Sequence, residues 1–344
     1  MEKVLNLANP IISTLPYDNH LLAIIGTLDY SYPWVMSNYI QLCAHCADED
    51  DMCLCFYKIS KWNNCPYVIK RSLDAYFINK EYFNIIDFIE NAIEFGYYVV
   101  LTINMNYITQ YNVNFTNYHQ MMVYGFNNET HQLNIADFFQ GYYSYTTCSY
   151  EEFKRSYYSI DRNSFIDISD NQTIDLLLPY LMKNTDIDNY YSAVRGYSLE
   201  VIKILLSDYL YSYNMNLRYG IDNNEKCAYG VKYNFGISVI DILAKHVVDM
   251  ASKEMTISER SLHIFYEHKK LMVERLKFIK EKERKDLSSL IENYDEVLEL
   301  SLLIRNIGIK YNMTKRMNLK LFLDYLEQIK DKEETNIKKI ISVL

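Results

Sequence analysis

The sequence predicts an α+β protein, with a mostly antiparallel sheet in its first half and an all-helical lobe in its second. Three observations carry this. Residues alternate in type along HQMMVYGF and again along HQLNIADF, with Asn127-Asn128-Glu129 between them, so Asn117–Phe138 reads as a β-hairpin. YYVVLTINM (97–105) is a continuous apolar run with β-branched residues, as in a central strand. From about residue 170 onward, apolar residues recur at helical spacing instead. We therefore expect a sheet-bearing domain over 1–165 and a helical domain over 166–344.

Composition narrows the function classes. A chain of 344 residues, 49% hydrophobic and 23% charged, has ordinary values for a globular protein that buries a large core. A net charge of −9 argues against nucleic acid as a partner. No apolar run approaches the roughly 18 residues of a membrane span, so no membrane partner is expected. MEKVLNLANP lacks a signal peptide's basic start and apolar core, which predicts a cytoplasmic protein with its seven cysteines reduced. The 34 tyrosines accompany abundant Asn, Ile and Lys, which suggests AT-rich coding rather than a binding surface.

Taken in order, residues 1–16 predict a leading strand and loop broken by Pro10 and Pro16. Asp18 or Asn19 is a good N-cap for a short apolar helix ending near Gly26. Residues 30–47 predict a second helix from Pro33. Cys43, His45, Cys46, Cys53 and Cys55 crowd together. C-A-H-C followed by C-x-C lacks zinc spacing, so buried thiols are expected and no metal. A strand at 67–69 precedes a helix at 81–95, with Phe83, Ile86, Ile89, Ala92 and Ile93 in phase and Gly96 at its end.

After the hairpin, 141–147 predicts another strand, and Ser149 with Glu152 forms a capping box for a helix through Tyr158. Helices follow at 196–210, 235–250, 257–285 (Ser258 as N-cap), 287–307 and 315–343. Eight cations fall between Lys269 and Lys285. They read as a solvated face with i,i+4 partners or, alternatively, as a docking surface for an acidic partner. His246, His263 and His268 lie on separate turns without an acidic cluster and read as structural.

The hairpin carries the candidate chemistry. A turn centred on Asn128 would pair Val123 with Leu133, Met121 with Ile135, and His119 with Asp137, all on one face. An Asp that takes the proton of one imidazole nitrogen fixes the tautomer and leaves the other nitrogen as a base. A helix N-terminus near such a pair is where a cysteine nucleophile is expected, because orphan N–H groups lower a thiol's pKa. This chain has Asp18, Asn19 and His20 there instead.

The order of elements, with His119 opening a strand, Tyr124-Gly125 and then Asp137, resembles the papain-like fold of bacteriocin-leader peptidases. More closely, it resembles the family of butirosin biosynthesis protein H, which includes the cysteine-protease-like amide synthase of closthioamide biosynthesis. YNFGISVID (233–241) and IFYEHKK (264–270) resemble later segments of that family. The resemblance implies an acyltransferase of nonribosomal-peptide biosynthesis. It would move an acyl group from the phosphopantetheine arm of a carrier protein to an amine or peptide, with no cofactor of its own. It makes His119 the base, Asp137 its orienter, and Asn19 or His20 the occupant of the cysteine's position.

Three accounts stay open: a non-catalytic carrier-binding scaffold, acyl transfer without a covalent step, and a nucleophile supplied by Cys43 or Cys46. A cysteine peptidase is a fourth class. It predicts a thiol at the N-terminal helix and leaves the helical lobe without a role.

Overall fold

The computed structural model describes residues 1–46, 52–57, 65–82, 84–161, 173–179, 196–218 and 233–344. The chain divides into two compact units. One contains residues 1–31 and 60–189, the other 32–59 and 190–344. The boundary expected at 165/166 lies outside the described residues, as does Phe83. Among the described residues, no helix is long and apolar enough to cross a membrane.

The first unit is built on a seven-stranded antiparallel sheet. Strands β4 (Val68–Asp74), β9 (Thr173–Pro179), β5 (Tyr98–Asn104), β6 (Tyr118–Asn127), β7 (Gln132–Phe139) and β8 (Tyr142–Ser149) lie in that order, and β1 (Glu2–Val4) pairs with the end of β6 that β5 leaves open. Every residue of β5 is buried, as its apolar run predicts. One sheet face presents Val99, Leu101, Met121, Val123, Ile135 and Cys148 to α4 (Ile85–Glu94) and α5 (Tyr150–Tyr158). The helix α1 (Pro16–Ile25) packs on β6 and β7. The expected capping box is present. Ser149 Oγ accepts from the Glu152 amide, and the Ser149 amide donates to Glu152 Oε2 at 2.9 Å.

The hairpin register differs from the expected one. Val123 pairs with Ile135 and Met122 with Ala136, whereas Phe126 pairs with Leu133, so a bulge intervenes at Tyr124. The connection is a four-residue turn over 128–131 that ends on His131 in the left-handed region, rather than a tight turn centred on Asn128. Asn127 Oδ1 accepts from the amides of Glu129 and Thr130 at 3.0 Å, which closes this longer turn. The bulge lets Val123 and Phe126, three residues apart, enter the same core. Gly125 follows from packing. A Cβ there would come within 2.9 Å of the Lys3 carbonyl oxygen and 2.7 Å of Asn134 Oδ1.

Three other expectations change. The helix from Pro33 is short: α2 spans Tyr32–Ser37, and Leu42–Cys46 is strand β2, paired with β3 (Met52–Phe56). Cys and His form helix poorly, and MCLCF supplies a partner strand. The helix expected at 81–95 is α4, which starts later because Asn84 caps it, and a separate helix α3 (Ala75–Glu81), capped by Asp74, occupies the stretch before it that is expected as a loop. TIDLLLP, read as part of the helical half, is β9. A short apolar run has no decisive period, and here two flanking strands supply its ladders.

The second unit holds the three-stranded sheet β10 (Asn234–Phe235), β2 and β3, and the helices α2, α6 (Leu199–Leu210), α7 (Met215–Arg218), α8 (Val239–Ser252), α9 (Glu259–Glu283), α10 (Ser288–Thr314) and α11 (Leu319–Val343). Ser258 caps α9 through the Ser261 amide, as expected. Gly236 has φ +61, and a Cβ on it would fall 2.2 Å from the Tyr209 carbonyl oxygen, so only glycine fits there. Lys269 and Arg275 are fully buried, which removes both from the basic face expected over Lys269–Lys285. Lys277 pairs with Glu274 at 3.0 Å.

Candidate functional site

His119 lies near the start of β6, opposite Ile103 of β5. The observed register makes Asp137 its diagonal rather than its direct neighbour. The slip relative to the expected pairing is two residues at this end of the hairpin, an even number, so both side chains still share one face. His119 Nδ1 donates to Asp137 Oδ2 at 2.6 Å. The Tyr111 hydroxyl donates to the same oxygen. Burial, and then the charge of Asp137, hold the Tyr111 hydroxyl well above its ordinary range, so it stays a donor.

Asp137 is fully buried, whereas His119 is 25% exposed. With Nδ1 as donor, Nε2 of His119 carries the lone pair, and it has no hydrogen-bond partner among the described residues. Tyr111 stands in a short 3-10 turn (Thr109–Tyr111), and its ring meets His119 edge-on at 6.5 Å. Phe138 meets His119 edge-on at 6.4 Å. Sequence reading missed Tyr111 because residues 106–116 carry no periodic signal and it is one tyrosine among 34.

Asn19 and His20 do not form a nucleophile site. His20 is buried in α1 with both ring nitrogens engaged. Nε2 faces the Gln120 carbonyl oxygen at 3.2 Å, which can only accept, so Nε2 carries the proton. Nδ1 then accepts from the Tyr143 hydroxyl at 2.9 Å. Tyr143 pairs with Phe138, so by alternation it lies on the opposite sheet face from Asp137. Burial pushes the His20 pKa down to about 4, and the opposing pull of the Asp137 carboxylate is smaller. His20 is therefore a neutral staple between α1, β6 and β8.

Asn19 Oδ1 accepts from the Leu15 amide at 3.2 Å, one turn back. Its Nδ2 is buried and has no partner among the described residues. Of the candidate thiol nucleophiles, the Cys46 side chain lies outside the described residues. Cys148 sits in the core beneath β7 and β8, and burial pushes its thiol up. Cys43 belongs to the second unit, where its sulfur lies against Cys55. Among the described residues, no group of three or more His, Cys, Asp or Glu could hold a metal ion.

The arrangement can therefore do one thing chemically. It presents an oriented imidazole whose outward nitrogen accepts a proton, over a carboxylate that stabilises the imidazolium. Neither the known family models nor the curated proteins contain a match to this sequence.

Proposed function

We propose that the first unit is a general-base site for acyl transfer without a covalent acyl-enzyme. An amine nitrogen attacks the carbonyl carbon of a carrier-bound thioester, His119 Nε2 takes the amine proton, the C–S bond breaks, and the proton passes to the departing thiolate. The acyl-donor class rests on the family resemblance of the hairpin. The mechanism rests on one observation, the 2.6 Å contact from His119 Nδ1 to a buried Asp137 that Tyr111 also anchors.

The test is amide formation by the full chain from a panel of acyl-phosphopantetheine thioesters and primary amines, followed by mass spectrometry. His119→Ala and Asp137→Asn are each expected to lower the rate about 10²–10⁴-fold. Cys148→Ser is expected to leave it unchanged. A second reading is favoured by the structural engagement of His20 and Asn19: a non-catalytic protein that only binds acyl carriers. Carrier binding with no amide product from the wild-type chain would select that reading.

A further inference from the structure

Outside the candidate site, a dense group of reactive side chains among the described residues lies on one face of the paired strands β2 and β3. Antiparallel pairing sets Cys43 directly opposite Cys55 and His45 opposite Cys53. Directly opposed residues have Cα atoms about 4.5–5.5 Å apart, inside the roughly 4.4–6.8 Å range that disulfides span. The two sulfurs are 3.2 Å apart, and both residues are present as thiols. A bond of about 2 Å then needs only side-chain rotation, with no movement of the strands. Cys43 is 2% exposed, packed with Met215 and Phe235, while Cys55 is half-buried and so the more accessible of the two.

We infer that Cys43 and Cys55 form a redox-active dithiol that closes reversibly to a disulfide stapling β2 to β3, with a low-molecular-weight disulfide such as oxidised glutathione as oxidant. The Cys55 thiolate attacks one glutathione sulfur, the glutathione S–S bond breaks, and one glutathione leaves as thiolate. Cys43 then gives up its proton and attacks Cys55 Sγ, expelling the second glutathione. The protein loses two electrons and two protons, and one glutathione disulfide becomes two glutathiones. Cys53 does not compete. Its hydrogen bond with Cys55, and then burial, hold it as a thiol, and residues two apart along one strand have Cα atoms roughly 6.6 Å apart, at the far end of the range that disulfides span. This dithiol is independent of the acyl-transfer reading.

The test is thiol mapping of the full chain equilibrated in glutathione buffers of graded ratio, with alkylation, digestion and mass spectrometry. The expected result is a Cys43–Cys55 cross-linked peptide reversed by dithiothreitol, with a melting temperature that rises on oxidation and falls back on reduction. In Cys43→Ser, the reaction should stop at a glutathione mixed disulfide on Cys55. In Cys55→Ser, Cys43 should stay reduced. Two results would overturn the inference: both thiols still alkylatable in the folded wild-type chain at the most oxidising ratio, or cross-links from Cys55 to other cysteines as frequent as those to Cys43.

Discussion

The two units each contain a histidine, a carboxylate and a tyrosine in contact, and they use them in opposite ways. In the helical unit the cluster is closed. Lys269 Nζ donates to Glu333 Oε2 at 2.7 Å, to the Tyr209 hydroxyl at 3.0 Å and to His268 Nδ1 at 3.3 Å. His268 Nε2 donates to the Ile40 carbonyl at 2.8 Å, and Tyr209 and Tyr294 both donate to the Glu333 carboxylate. Lys269, Glu333 and His268 are all 0% exposed. In the sheet unit the cluster is open: Asp137 is buried, but His119 reaches the surface with one nitrogen unpaired among the described residues. Residue type does not mark a reactive site. A spare lone pair and an exposed edge are what a base requires, and of His20, His119 and His268 only His119 has both.

The largest effect expected from this contrast comes from breaking the closed cluster. Lys269→Met leaves the Glu333 carboxylate buried with no cation beside it, and it should cost about 3–5 kcal/mol in denaturant unfolding of the full chain. Adding Glu333→Leu should recover most of that loss. A double variant no more stable than the single would mean that the charges are solvated and the cluster is not closed.

The next effect is a pH dependence. The His20 pKa is pushed down to about 4 in the folded chain, below the roughly 6.5 of an unfolded one. Between these values the unfolded state binds more protons, so the stabilisation is full above about pH 6.5 and is lost as the pH falls towards 4. It amounts to about 3 kcal/mol. His263, also pushed down to about 4, and His268, pushed well below its ordinary value, add to the same acid limb. The measurement is therefore the difference in slope between wild type and His20→Phe over that window. Equal slopes would show that His20 titrates normally and is not a staple. The smallest effect is Tyr111→Phe, which removes one donor from Asp137 and should cost about 1 kcal/mol of stability. No change on urea unfolding would place the anchoring of Asp137 elsewhere.

Much of the fold was legible because the signals were local. Alternation marked β6 and β7, the apolar run marked β5, and Ser149 and Ser258 marked helix starts that the structure bears out. Signals that depend on distant partners were not legible. TIDLLLP becomes a strand only between β4 and β5, and Leu42–Cys46 only beside β3. Of the candidate site, His119 and Asp137 were found by a register that was wrong by an even number, which keeps the shared face. Tyr111 and the double engagement of His20 come from loop and inter-element geometry that spacing does not encode.

The way the chain threads its two units bears on how it is made. Strand β4 ends at Asp74, yet its sheet partner β9 begins at Thr173. During synthesis β4 therefore waits about a hundred residues for its mate. Strands β2 and β3 emerge by Phe56, long before α9, against which β3 packs. Neither unit can finish before the ribosome has passed residue 179, so a nascent chain stalled earlier carries β4 without its mate and the β2–β3 pair without α9. Contacts this distant in sequence slow folding and lengthen the exposure of sticky edges. The interleaved connectivity thus makes both units wait on late-synthesised chain before their sheets are complete.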